Sequence, residues 1–360
     1  MAAIHQLLPT VSEGDAISNE AFRIQALLRA EGYESEIFAD LIDATLKGAV
    51  QSYRAYQPQK QNILLFHLSI GSPVTEFFCS VPDKKAVVYH NITPPEYFEG
   101  INEDLASLTR QGREELPQVV QAAHVLFADS EYNKRELEAA GAQGVHVLPL
   151  LLDWARYASI DPEVFRRFEG EVVNILSVGK LARNKKPEDV IKAFAYYQTC
   201  FNPRSRLFLA GYGQDTQPYV AYLRRLVAEL QLREVYFLGG VSQAALNSYF
   251  RLADVYVSMS EHEGFCIPLV ESLYFQVPIV AYRAAAVPFT LQDAGVLVTQ
   301  KDFRRIAALL HLILTDASLR AKILEGQAAR LQHFTSGEHE WMFLSLLKKL
   351  EASEAISTIT

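Results

Sequence analysis

Short apolar runs alternate with helical stretches along the whole chain, and no other feature constrains the fold as strongly. In the first half, strands are expected over residues 3–8, 35–39, 62–67, 86–90, 125–128 and 145–148, with helices between them at 20–31 and 133–140. The second half repeats the theme. Its expected strands are 173–178, 206–210, 235–238, 255–258 and 278–282, and its expected helices are 187–201, 218–229, 242–253, 268–274 and 302–315. These runs are apolar nearly throughout rather than alternating with polar residues. Strands of that kind are buried on both faces, as in a parallel sheet covered by helices. At roughly 100–200 residues per domain, a chain of 360 residues fits two such domains. The stretch 152–169 is polar and aromatic without a strand pattern, so the domains are expected at 1–155 and 170–335, with 156–169 as linker. A last amphipathic helix, 337–352, would place Trp341, Leu344, Leu347 and Leu350 on one face.

Composition narrows the function classes. Hydrophobic residues make up 49% and charged residues 21%, ordinary values for a globular chain with real cores. Charge is uneven: residues 1–155 hold 11 Lys and Arg against 21 Asp and Glu, and the remainder holds 23 against 21. Neither half carries the basic footprint that nucleic acid requires. An acidic first half also argues against adsorption to anionic lipid through that half, and an anionic ligand would sit better in the second. Cys79, Cys200 and Cys266 are odd in number and lack metal-ligand spacing, which fits reduced thiols in the cytoplasm. A signal peptide and a membrane span are not expected.

The segment 258–271, Ser-Met-Ser-Glu-His-Glu-Gly-Phe-Cys-Ile-Pro-Leu-Val-Glu, carries the most chemistry. It follows a strand, turns at Gly264 and enters a helix with Pro268 near its first turn, where the missing N–H costs nothing. The N–H groups of such a helix start attract phosphate. Glu263 and Glu271 flank the entrance. Carboxylates beside phosphate suit sugar hydroxyls, because like charges repel. Singly, each glutamate reads as a solvated acid at a helix start. The segment 177–186, Ser-Val-Gly-Lys-Leu-Ala-Arg-Asn-Lys-Lys, places Lys180 and Lys185 after another strand, where two cations can neutralise a leaving diphosphate. Lys186 could substitute, and a solvated basic loop is the plainer reading.

Glu263 and Glu271, with seven residues between them and with His262, Gly264, Phe265 and Pro268 at hand, resemble the hallmark of the family 4 retaining glycosyltransferases, the group 1 glycosyl transferases. The resemblance covers nearly the whole chain and is strongest over 172–298. It implies the α/β GT-B fold, with two facing Rossmann-like, doubly wound parallel-sheet domains and a deep cleft between them. The first would bind the acceptor and the second the nucleotide-sugar donor, and the last helix would cross back to the first. The resemblance further implies that Lys180 and Lys185 hold the donor diphosphate. Gly239, Gly240 and Val241 would hold the base, and Glu271 the ribose. Glu263 would take the donor hexose, beside Gly264, Phe265, Cys266 and Ile267. In the first half, Gly14 and Asp15 occupy the place of the family's glycine-rich donor and acceptor loop and would join the donor site, and His90 resembles the histidine that faces the reacting sugar. Asp15 could instead bind an acceptor hydroxyl or cap a helix, and His90 could be structural. His67 is a second candidate.

This sequence departs from the family at three places. Lys180 stands where Arg is commoner, which loses the planar fork. Gly14 lacks its usual paired glycine. Pro149-Leu-Leu-Leu-Asp153 replaces an Asn-Gly turn. Gly211-Tyr-Gly213 reads as a tight turn.

No Asp-x-Asp, Walker loop or zinc spacing is present, so a metal-independent hexosyltransferase without a cofactor is expected. The resemblance points first to UDP-glucose or GDP-mannose as donor. It points to a saccharide or lipid-linked acceptor, and to polysaccharide biosynthesis in the cytoplasm or at the inner face of the membrane, with weak peripheral attachment left open. A nucleotide-sugar epimerase, a phosphorylase on the same fold and a non-catalytic nucleotide-sugar-binding partner are the alternatives.

Overall fold

The structure, a computed structural model, describes residues 2–353. They form two compact units. The first contains the described residues up to Pro95, then Asp104–Asp153 and those from Ser336 on. The second contains Glu96–Glu103 and Trp154–Thr335.

The first unit is built on seven strands: β1 (Ile4–Val11), β2 (Ile37–Ile42), β3 (Gln51–Ser52), β4 (Ile63–Leu68), β5 (Lys84–Tyr89), β6 (Val125–Ala128) and β7 (His146–Val147). Their order in the sheet is β3-β2-β1-β4-β5-β6-β7, and every pairing is parallel. The second unit has six: β8 (Val173–Val178), β9 (Ser205–Ala210), β10 (Val235–Gly239), β11 (Val255–Ser258), β12 (Ile279–Tyr282) and β13 (Val296–Val298). Their order is β10-β9-β8-β11-β12-β13, again all parallel. Each sheet therefore runs outward from its first strand in one direction and then restarts on the other side. The reversal falls between β1 and β4 in the first unit and between β8 and β11 in the second. Helices after the two flanking strands leave in opposite directions there. A crevice opens at the carboxyl ends of the strands, where doubly wound sheets bind ligands.

Local chemistry explains the elements. Every residue of Ile63–Leu68 is buried, as a central parallel strand requires. Asp15 caps the helix Ala16–Ala30, its carboxylate accepting from the Ser18 N–H at 2.8 Å. Pro73, Pro162, Pro187 and Pro268 each stand in a first helical turn. Two sheet faces in each unit are covered by separate apolar clusters, as layered α/β packing demands.

Several expectations need correction. The stretch 156–169 is not a bare linker. It holds a turn of 3-10 helix, Trp154–Ala158, and the helix Pro162–Phe168, whose Val164 and Phe168 are buried in the second unit's core. Residues 96–103 group with the second unit although they lie within the expected first domain. Ile101 packs on its core and Asn102 Nδ2 donates to the Asp215 carbonyl at 3.2 Å. The last helix, Glu338–Ala352, buries Phe343, Leu347 and Leu350, while Trp341 is 73% exposed. Residues 343, 347 and 350 keep the i, i+4, i+7 spacing, and position 341 lies about 200° round the helix from 343.

This face assignment is checked by chemical denaturation. Phe343→Ala should cost about 3–5 kcal/mol by opening a cavity, whereas Trp341→Ala should stay within about 0.5 kcal/mol.

Candidate functional site

In the second unit, the loops after β8 and β11 flank the strand-order reversal. The first runs through Gly179, Lys180 and a short 3-10 turn, Arg183–Lys185, to Lys186. Lys186 has φ 51°, and from it the helix Pro187–Cys200 departs. The second loop carries Glu261, His262 and Glu263 into the helix Ile267–Tyr274. Lys185 Nζ pairs with Glu263 Oε2, so one contact ties the two loops together. The Glu263 side chain is only 9% exposed. A carboxylate so far from water needs such a partner.

The other basic residues are also matched. Lys180 pairs with Asp215, and its ammonium lies 5.8 Å from the centre of the Phe98 ring. Lys186 sits 3.2 Å from Glu261. Lys301 reaches both Glu261 and Asp189 at 2.7 Å. Lys180, Lys185 and Lys186 therefore each face a carboxylate in this structure, and an incoming anion must compete for them. Ser177, Gly179, Lys180, Lys185, Ser258 and Ser260 line a cavity of about 10 Å³ here, roughly the space of one water.

The helix start beyond Glu263 is strained. Cys266 is left-handed, with φ 72°, and no side chain caps the helix. A non-glycine residue pays for that conformation, and such strain collects at functional sites. Two contacts hold the turn. Thr290 Oγ1 donates to the Phe265 carbonyl at 2.6 Å, and the Ala286 N–H donates to the Glu263 carbonyl at 3.2 Å. Burial pushes the Cys266 thiol well up, so it is a packing group rather than a nucleophile.

Glu271 is one turn further along that helix and fully buried. Burial raises its carboxyl to about 7, against the opposing influence of a hydrogen bond with Tyr157 and the charge of Arg156. Both partners come from the turn Trp154–Ala158, in a stretch whose polar and aromatic composition gave no sign of a site.

Two glycines shape the neighbouring loops. A Cβ on Gly211, whose φ is 148°, would stand 2.0 Å from the Gly179 carbonyl oxygen. Gly211 is therefore a close-packing point for the loop after β8. A Cβ on Gly240 would stand 1.9 Å from the Tyr212 ring, so Tyr212 fills the space that a side chain at 240 would take. Gly239, with φ 68°, and Val241 flank it.

In the first unit, Gly14 has φ 77° and leads into Asp15, which caps a helix. His90 follows β5, and its ring is buried. Its Nδ1 lies 3.0 Å from Asp129 Oδ2 and its Nε2 2.9 Å from His67 Nδ1. His67 Nε2 in turn lies 2.9 Å from Gln6 Oε1. Glu20 approaches from the helix Ala16–Ala30, with Oε2 3.7 Å from His90 Nδ1 and Oε1 accepting from the Leu151 N–H at 2.9 Å. Burial raises the Glu20 carboxyl to about 8. His90 and His67 were legible as strand-end histidines. Gln6, inside a strand, and Glu20, inside a helix, were not, because such a polar residue shows its partner only in three dimensions; Asp129, in the loop after β6, had no role assigned to it. Glu20, His67 and His90 can bring ligand atoms within 4.8 Å of one another, but the facing nitrogens of the two histidines are already hydrogen-bonded.

A separate cavity of about 480 Å³ opens at the amino-terminal end of β6, beside His124 and His146. No charged residue lines it, and it lies at the wrong end of the strands for the chemistry above.

Residues 163–330 match the family model described as "Glycosyl transferases group 1". The chain is 29% identical over 175 residues to a Campylobacter jejuni enzyme, GalNAc-alpha-(1->4)-GalNAc-alpha-(1->3)-diNAcBac-PP-undecaprenol alpha-1,4-N-acetyl-D-galactosaminyltransferase. That alignment covers 47% of each protein. The chain spans less than two thirds of the length of the curated relatives it matches. Two solved structures share the fold. HepE from Anabaena, in complex with UDP and glucose, superposes with a TM-score of 0.75 at 16% identity, covering 96% of this chain and all of that one. Sucrose-phosphate synthase from Thermosynechococcus elongatus gives 0.76 at 16% identity, covering 98% of this chain and all of that one. Two Rossmann-like parallel-sheet domains on one chain are the GT-B fold, which these two structures share, and the family-model match lies within the second unit.

The loop packing after β8 is testable. Gly211→Ala should lower stability by about 2–3 kcal/mol or more, through both clash and φ. Gly48→Ala, with open space around it, should be near neutral in the same urea titration.

Proposed function

We propose that this protein is a retaining glycosyltransferase that moves a hexose from a nucleoside diphosphate sugar to a saccharide or lipid-linked acceptor. One observation carries the reading. Lys185 and Glu263 are paired across the strand-order reversal of the second unit, inside the region that matches the group 1 family model. A lysine and a carboxylate at that place offer separate partners for the two ends of such a donor. The diphosphate takes the cations, and the sugar hydroxyls take the carboxylate.

In this reading the base lies near Gly239, Gly240 and Val241, and Glu271 receives the ribose hydroxyls. Gly264, Phe265, Cys266 and Ile267 form the strained entrance to the helix whose start faces the phosphates. Lys180 and Lys185 leave Asp215 and Glu263 to neutralise the charge that grows on the leaving diphosphate. Glu263, once free, accepts hydrogen bonds from the hexose. Gly14, Asp15 and His90 belong to the acceptor-binding unit. Attack comes from the same face as departure, within an ion-pair-like transition state, and the departing phosphate takes the acceptor's proton. No cofactor or metal is assigned. UDP-glucose and GDP-mannose are the donors to test first. The lipid-linked acceptor class is supported by the undecaprenol-linked substrate in the Campylobacter relative's name. The described residues include no helix long and apolar enough to cross a membrane.

Thermal shift against UDP, GDP, ADP and their hexose conjugates tests the donor site. A ligand at about 100 times its Kd adds roughly 2.7 kcal/mol, and selectivity for one base is expected. A flat response to every nucleotide would remove the donor site. Glu263→Gln should lower turnover on the order of 10²-fold with modest loss of nucleotide affinity. Lys185→Ala should weaken nucleoside diphosphate far more than nucleoside.

Glu271 adds a pH dependence. Its carboxyl titrates near 7 and receives hydroxyls best when ionised. Nucleotide affinity should therefore fall as pH drops below 7, by up to about tenfold per unit, and Glu271→Gln should abolish that slope in calorimetric titrations.

A further inference from the structure

The polar row inside the first unit fixes a protonation state. Gln6 Nε2 donates to the Ala21 carbonyl at 2.9 Å, so its Oε1 is the atom that faces His67. His67 Nε2 therefore carries a hydrogen, and a neutral His67 has only a lone pair left at Nδ1. That lone pair faces His90 Nε2 at 2.9 Å, which must supply the hydrogen. On its other side, His90 Nδ1 faces Asp129 Oδ2 at 3.0 Å, a carboxylate that accepts. Both nitrogens of His90 are then donors. The two rings are parallel within 2° with centroids 5.2 Å apart, which fits an in-line N–H···N bond; rings stacked face to face would stand closer.

We propose that His67 is a positioning residue whose Nδ1 lone pair, together with the Asp129 carboxylate, holds His90 as a doubly protonated imidazolium, so that His90 is a fixed charge and not a proton acceptor. The catalytic half of this inference rests on the glycosyl-transfer reading above, and the structural half stands without it.

Burial opposes the charge on His90, and the neighbouring carboxylates favour it. Those of Asp129, after β6, and of Glu20 and Asp15, at the first helix, outweigh burial and move His90 up. His67, on β4, lies well below the usual histidine range, through burial and the charge of His90 beside it. Gln6, on β1, is neutral. Burial raises the carboxyls of both Glu20, to about 8, and Asp129, while the charge of His90 lowers both; Asp129, hydrogen-bonded to His90 at 3.0 Å against 3.7 Å for Glu20, is the nearer counter-ion. An imidazolium with both hydrogens engaged has no lone pair for an acceptor hydroxyl's proton. That proton must go elsewhere, and the leaving phosphate is the group whose basicity rises as the glycosidic bond breaks.

Long-range proton–nitrogen NMR on the wild-type chain, with imidazole nitrogen-15 histidine, tests this without reference to activity. The His67→Asn and His90→Gln variants assign the signals. The expected spectrum shows His90 with two protonated nitrogens and His67 with only Nε2 protonated, both unchanged over roughly pH 6 to 9. A His90 signal that loses a proton within that range, or added zinc that shifts both rings together, would overturn the proposal. Transfer activity gives the second arm. His67→Leu removes the lone pair, and its kcat should fall about tenfold per pH unit above a new midpoint. His67→Asn, which keeps an acceptor near the Nδ1 position, should stay flat. Equal pH-independent losses in the two variants would also overturn it. Absence of any transfer by the wild-type protein would instead count against the function proposed above, and the spectrum would still decide the state of His90.

Discussion

The contact between Lys185 and Glu263 sets the terms for the second unit's chemistry. A carboxylate only 9% exposed is not stable without a partner, and the nearest cation comes from the loop on the other side of the strand-order reversal. The pair thereby draws together the ends of β8 and β11. Its neighbours follow the same rule: Lys180 answers Asp215, Lys186 answers Glu261, and Lys301 answers Glu261 and Asp189. The result is a loop system that is nearly neutral with no ligand bound and dense in separable charges. An anionic ligand can take the lysines while its hydroxyls take the carboxylates, so the same groups serve the empty and the occupied states.

The first unit resolves a comparable problem differently. Its polar groups lie in a row from Gln6, inside β1, through His67, near the end of β4, and His90, after β5, to Asp129, after β6. Each member satisfies the next, and the direction of every hydrogen bond follows from one amide. Low local dielectric strengthens such a chain and penalises any break in it. Two doubly wound sheets thus present different chemistry at their reversals: exchangeable ion pairs in one, a buried hydrogen-bonded row in the other.

Much of this architecture is legible in the amino-acid sequence. The apolar runs at 125–128, 173–178 and 255–258 coincide with β6, β8 and β11 to the residue. Central parallel strands show little but their hydrophobicity, and these are bounded by clear turns. Edge strands fail that test: Gln51–Ser52 and Val296–Val298 are too short to carry a pattern. The helix Glu103–Ala122 is hidden by its charged surface and by Pro117. Among the site residues, Lys185 and Glu263 can be picked out by their position after strands. Tyr157, Arg156 and Tyr212 cannot, because each acts on a partner distant in sequence. The last helix shows a finer failure. A tryptophan draws the expected apolar face toward itself, while the phenylalanine two positions later is the one that is buried.

A crystal structure of the protein with a nucleoside diphosphate bound tests the account most directly. The account predicts the diphosphate at the ends of β8 and β11, with the Lys185 ammonium drawn off Glu263 onto a phosphate oxygen and the ribose hydroxyls on Glu271. A diphosphate bound elsewhere, or bound while Lys185 and Glu263 remain paired, would contradict it.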